Sequence, residues 1–220
     1  MNNAGEPSHN ISGQQLSVNS LSVQTQECIL FGIIPFEFLP MLEGRLGGLC
    51  DPGHQNFSEH EMSLVQKNRK TVIKIRRRFG VGNQNVWLMK YIGVPEGNPQ
   101  LPVVLRKETN SLVKSDNMME FIKSLGLVMD YEYIADGKIF TKGNVKVMYS
   151  KLSTSCKPGN YSRENIRKIS DKALVEVSIS LPESADYQPA AKEVREFADQ
   201  LRPLVEMTKV ECAAKYVRRS

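Results

Sequence analysis

Apolar and polar positions alternate most cleanly along Leu174 to Leu181. Val175, Val177, Ile179 and Leu181 fall on one side, Glu176, Ser178 and Ser180 on the other. That period of two predicts a strand with one buried face. The stretch from Met118 to Leu152 changes period midway. Met118, Phe121, Ile122 and Leu125 recur at helical spacing, with Asp116 placed to cap the start and Gly126 to end the helix in a left-handed turn. Tyr131, Tyr133 and Ala135 then alternate with Glu132 and Ile134, and Asp136-Gly137 has the composition of a two-residue hairpin turn. Lys142-Gly143-Asn144 predicts a second turn before Val145, Val147 and Tyr149 alternate with Lys146 and Met148. A helix feeding a three-stranded meander is expected.

The same periods predict the remaining elements. Glu27 to Ile34 is an apolar run bounded by Pro35. A helix is expected from near Pro40, with Leu39, Leu42, Leu46 and Leu49 as its stripe. Strands are expected at Glu61–Gln66, Thr71–Arg78, Asn85–Ile92 and Ser111–Lys114, with Val103 to Leu105 leading into the last. Pro189 opens a final helix lined by Val194, Phe197 and Leu201, and Leu204 to Val210 should close the fold as a strand. The total is about eight to ten strands and about three helices. Short connections between many one-sided strands predict an α+β, mainly β fold, a many-stranded antiparallel β-barrel decorated by helices, because closure removes exposed edges. Three regions are expected: a polar disordered segment over 1–24, one barrel domain over 25–211, and a basic tail over 212–220. Ser153 to Asp171 reads as a polar, basic loop bent at Pro158-Gly159.

Composition narrows the function classes. The chain has 220 residues, 40% hydrophobic content and a formal charge of +5, which suits an acidic partner without demanding one. Met1 to Gln24 is too polar for a secretory signal. The apolar region from Cys28 to Leu42 is broken by Pro35, Glu37 and Pro40, so no membrane span is expected. Cys28, Cys50, Cys156 and Cys212 are widely spaced, and reduced thiols are the expectation.

Several blocks in order carry a family resemblance: Arg45-Leu46-Gly47-Gly48-Leu49-Cys50-Asp51 followed by His60-Glu61-Met62, then Trp87 with Tyr91-Ile92-Gly93-Val94-Pro95-Glu96, then the 118–152 stretch. Leu174-Val175-Glu176-Val177-Ser178 and Phe197-Ala198-Asp199-Gln200-Leu201-Arg202-Pro203-Leu204-Val205 complete the set. From about Glu27 to Glu211 the chain resembles the Mediator subunit 18 family of the RNA polymerase II coactivator head module. The resemblance implies a barrel like that of triphosphatase tunnels and a nuclear, non-catalytic role in transcription regulation. The partners it implies are Mediator subunit 20, a C-terminal helix of subunit 8, RNA polymerase II and initiation factors.

The residues themselves offer little chemistry. Metal-dependent triphosphatase work needs carboxylate pairs on facing strands and interior cations. The chain offers one Glu-x-Glu, Glu59 and Glu61, expected beside a loop, while Glu132 and Glu176 are single strand acids expected to face solvent or a cross-strand base. Cys50, His54 and His60 match no zinc spacing, and the two histidines are expected on the surface. No cofactor, metal or catalytic residue is assigned. Lys67, Arg69, Lys70, Lys74, Arg76, Arg77 and Arg78 form a basic run, with Lys74, Arg76 and Arg78 sharing one strand face opposite Ile73 and Ile75. The run reads either as a solvated, solvent-facing strand face or as a candidate docking stripe for an acidic protein tail or for phosphates. Phe79 alone adjoins it, so direct nucleic-acid binding by stacking is disfavoured.

Overall fold

The computed structural model describes residues 22–66, 69–80, 85–157 and 159–210. Nine strands form one antiparallel sheet: β1 (Ser22–Pro35), β2 (Gln55–Gln66), β3 (Arg69–Arg78), β4 (Val86–Ile92), β5 (Val104–Lys114), β6 (Leu127–Lys142), β7 (Val145–Ser155), β8 (Ile166–Lys168) and β9 (Lys172–Pro182). The order is β6-β2-β3-β4-β5-β1-β9-β7-β8, and pairing of β6 with β7 closes the first eight into a barrel. Strand β8 adds to β7 only beyond the stretch where β7 pairs with β9. Three helices, α1 (Leu39–Leu49), α2 (Met118–Ser124) and α3 (Gln188–Asp199), complete the fold.

The apolar cores lie outside the barrel wall. Val175, Val177 and Ile179 of β9 and Leu30 of β1 pack under Leu42 and Leu46 of α1 and Val194 and Phe197 of α3. Each such side chain, fully removed from water, stabilises by about 1.5–3 kcal/mol. A second cluster sets Met62, Leu64, Ile75 and Trp87 under Met118 and Ile122 of α2. The alternate positions of the same strands point into the barrel. An eight-stranded barrel is just wide enough for side chains to fill it, and here many of them are charged, set among apolar ones such as Ile29, Phe57 and Met148.

Several expected elements differ in detail. Asp136-Gly137 is no turn: β6 runs through it, and a Cβ at Gly137 would meet the Tyr149 carbonyl oxygen at 1.8 Å. Gly137 is there for close approach between strands, and the hairpin falls at Gly143, where φ is +56°. Asn117, rather than Asp116, caps α2, accepting from the Glu120 backbone N–H at 3.2 Å. Strand β1 starts at Ser22, inside the segment expected to be disordered; the rest of that segment and the 212–220 tail lie outside the described residues. Leu204 to Val210 pairs with the barrel only through the Phe31–Thr208 bridge. Gly32 makes that crossing possible, since a Cβ there would meet Val205 Cγ1 at 2.5 Å. The basic loop is shorter than expected because β7 reaches Ser155 and β8 occupies part of it.

Candidate functional site

Glu59 and Glu61 on β2 face the lumen, and so do Lys74, Arg76 and Arg78 on β3, where register sets Glu61 opposite Arg76 and Glu59 opposite Arg78. Lys74 Nζ donates to Glu61 Oε1 at 2.7 Å. Arg76 donates to Glu61 Oε2 through Nε at 3.0 Å and Nη2 at 2.7 Å, and Arg78 Nε donates to Glu59 Oε1 at 2.9 Å. The Tyr133 hydroxyl from β6 also donates to Glu61. Elsewhere on the lumen wall, Arg106 of β5 donates to Glu27 Oε2 of β1 through Nε at 3.0 Å and Nη2 at 2.7 Å. Lys90 of β4 donates to Glu108 Oε2 at 2.8 Å.

These contacts set the charge states. Burial alone would raise Glu61, but Lys74, Arg76 and the Tyr133 hydroxyl reverse that and hold it at about 2. Glu27 follows the same course, burial opposed by Arg106 and Lys90, and also lies at about 2. Glu108 goes the other way, lifted by burial and by the neighbouring Glu27 carboxylate. Glu176 is lifted by burial and by Glu27, against Lys74, Arg76 and Lys146.

The expected solvent-facing stripe is therefore corrected. Lys74, Arg76 and Arg78 do alternate on one face, but that face is the lumen, and each is held by a β2 carboxylate. Arg77 points outward and stacks 4.7 Å over Trp87. Arg69 and Lys70 are described only as backbone at the start of β3, and Lys67 lies outside the described residues. Glu59 and Glu61 are likewise not beside a loop, because β2 begins at Gln55. Facing acids exist after all, in Glu27, Glu108 and Glu176. The signal for them was an acid placed opposite the most apolar face of a strand, as Glu176 is between Val175 and Val177.

His60 is buried rather than on the surface. Its Nε2 lies 2.8 Å from Glu132 Oε2, which also accepts from the Tyr161 hydroxyl at 2.8 Å. The Tyr161 and His60 rings are 4.4 Å apart. Burial lowers the His60 pKa, against the opposing pull of Glu132. Tyr161 is the sole aromatic of the 153–171 region, and it pins that region to the outer wall.

One end of the barrel opens into a cavity of about 990 Å³. Phe31, Ile33, Val72, Ile92, Tyr131 and Leu174 line it, with Lys74, Arg106 and Glu176 also reaching it. Deeper in the lumen only about 70 Å³ remains between the ion pairs. No three His, Cys, Asp or Glu side chains among the described residues are placed to hold a metal ion.

A closed antiparallel barrel with a charged lumen and its apolar cores outside places this chain among the tunnel-barrel proteins. A putative adenylyl cyclase from Hippeastrum, described as having a dominant triphosphatase activity, shares the fold with TM-score 0.53 at 7% identity, over 88% of this chain and 95% of that one. The Schizosaccharomyces pombe Mediator head module contains a chain that superposes with TM-score 0.70 at 15% identity, covering 84% of this chain and 98% of its own. The Med18 protein family model matches residues 63–212. The Caenorhabditis elegans Mediator of RNA polymerase II transcription subunit 18 is 54% identical over 205 residues, 90% of this chain and 88% of the relative. The chain belongs to the Mediator subunit 18 family.

Proposed function

We propose that the chain works as a non-catalytic head-module subunit of the Mediator coactivator, acting in the nucleus by protein–protein contact between gene-specific regulators and the RNA polymerase II initiation machinery. The observation that carries this is the family relationship over nine-tenths of the chain. The lumen supports the non-catalytic part. Phosphoryl chemistry needs cations free to meet phosphate oxygens and carboxylates free to hold a metal. Here Lys74, Arg76, Arg78, Lys90 and Arg106 are each tied to a carboxylate, and the space between them is too small for a triphosphate. Catalysis would require breaking this network of buried pairs.

The partners of this reading are Mediator subunit 20, barrel against barrel, and a C-terminal helix of subunit 8, with polymerase and initiation factors beyond them. Exposed Ile33, Phe38, Met41 and Val94 give such partners apolar surface to cover. Co-expression with subunit 20 and the C-terminal segment of subunit 8, followed by size-exclusion chromatography with light scattering, tests it. An equimolar complex is expected. A chain that stays folded, soluble and alone overturns the assembly reading, and metal-dependent phosphate release by the purified chain overturns the non-catalytic one.

A further inference from the structure

The tunnel mouth differs from the lumen beneath it in what its charges lack. Glu27, Glu59, Glu61 and Glu108 each hold a cation within the barrel. Glu176, which lines the mouth cavity, holds no hydrogen bond or ion pair among the described residues, and neither does Glu206 on the C-terminal segment beside it. The two cations that reach the cavity are already taken, Lys74 by Glu61 and Arg106 by Glu27. Lys74, Arg76 and Lys146 act on Glu176 at longer range without pairing with it, and Lys146 sits one register step deeper, opposite Ser178. The uncommitted charge at the mouth is therefore negative. The walls around it are apolar, and Val94 and Ile33 keep 80% and 59% of their surface exposed at its rim. Thr208 and Val210 extend the same wall.

We propose that this mouth docks a partner protein segment that carries one lysine or arginine within an apolar stretch, the cation closing on Glu176. The apolar flanks cover Ile33, Val94 and Tyr131, and the long methylene stem of the basic side chain passes along the walls before its charged end meets the carboxylate. A neutral segment would leave Glu176 sealed from water without a partner, and an acidic one would add a second negative charge to it. This chemistry rests on the assembly reading above and specifies one contact within it.

The test uses the full chain and two short acetylated, amidated leucine–alanine peptides, one with a single central lysine and one with norleucine in its place. Binding is followed by fluorescence anisotropy. The lysine peptide is expected to bind about tenfold more tightly, the worth of one charge-assisted hydrogen bond. Glu176→Gln should abolish that difference. Ile33→Asp, at an exposed position that does not endanger the fold, should weaken both peptides. Equal binding of the two peptides, no binding of either, or a lysine preference that survives Glu176→Gln overturns the proposal. Binding that emerges only after removal of residues 211–220 also overturns it, by making the chain's own tail the occupant. Co-purification with subunit 20 is scored in parallel. Assembly without peptide selectivity sinks only the docking proposal, and selectivity without assembly sinks only the assembly reading.

Discussion

Glu27 on β1 and Arg106 on β5 stand directly opposite one another in the register and meet inside the lumen through two hydrogen bonds to a single carboxylate oxygen. Arg106 also lies 3.3 Å from Glu108, so one guanidinium serves two carboxylates. Arg106→Met should leave Glu27 without its hydrogen-bonded partner at the centre of the barrel, with only the more distant Lys90 and Lys146 acting on it. The expected loss is about 3–5 kcal/mol of unfolding free energy in urea denaturation. Replacing Glu27 and Arg106 together by apolar residues should cost much less, because no unpaired charge then remains. If the single and double variants lose equally, the pair is not the unit of stability.

The same network fixes a pH dependence. Glu27 and Glu61 lie below their ordinary range, so the stability they contribute is fully present above an unfolded-state value of 4.5 and is lost as pH falls toward about 2. Each contributes on the order of 3 kcal/mol by linkage. Glu108 and Glu176 are raised, so their ionised forms cost stability above 4.5, and mild acidification relieves that cost. From pH 7 toward 5 that relief is opposed by His60, whose burial-lowered pKa costs stability as pH falls through 6.5. Urea midpoints should drop most steeply between 4.5 and 2, where Glu27 and Glu61 take up their protons. Midpoints that hold level from 4.5 to 2 would show the signs to be wrong.

Gly137→Ala should be among the most damaging single-methyl additions in the chain. The new Cβ would meet the Tyr149 carbonyl oxygen, which cannot yield without parting β6 from β7, and would also crowd the Phe57 ring. A loss of at least about 2–3 kcal/mol is expected. Gly143→Ala strains only an open turn at φ +56° and should cost about 1 kcal/mol. Thermal unfolding of the two variants side by side checks the ranking.

Tyr161 holds the 156–165 segment against His60 and Glu132. Tyr161→Phe removes one hydrogen bond to a carboxylate and should cost about 1.5–3 kcal/mol or less, given its half-exposed setting. Tyr161→Ala removes the ring as well. Trypsin should then cleave after Arg163 much faster than in the natural chain, with global unfolding little changed. Equal cleavage rates would mean that Tyr161 is not what holds the segment down.

Periodicity made the outer faces of the strands legible, because Val175, Val177 and Ile179 can only be a buried face. It also marked Lys74, Arg76 and Arg78 as one face. Which side of the wall that face took was not legible. A period of two is symmetric between lumen and solvent, and an ordinary barrel hides its apolar side within. Here α1, α2 and α3 cover the apolar side from outside, and no local pattern announces that. Asp136-Gly137 misled for a similar reason. A glycine needed for close strand approach has the same letters as one needed for a turn, and only the Tyr149 carbonyl opposite it distinguishes the two. The mouth cavity joins two short runs, Phe31-Gly32-Ile33 and Ile92-Gly93-Val94-Pro95, to residues from distant strands, and neither run shows by itself that the others meet it.

Strand β1 lies between β5 and β9, and its outer face waits for α3. On a ribosome that adds about 5–20 residues per second, on the order of 150 residues must follow Pro35 before α3 is made. For several seconds or more, Leu30 and Ile34 stand uncovered beside an unpaired strand edge. The chain's greatest exposure to misassociation thus comes during its own synthesis, and any factor that shelters the nascent amino-terminal third would raise its yield.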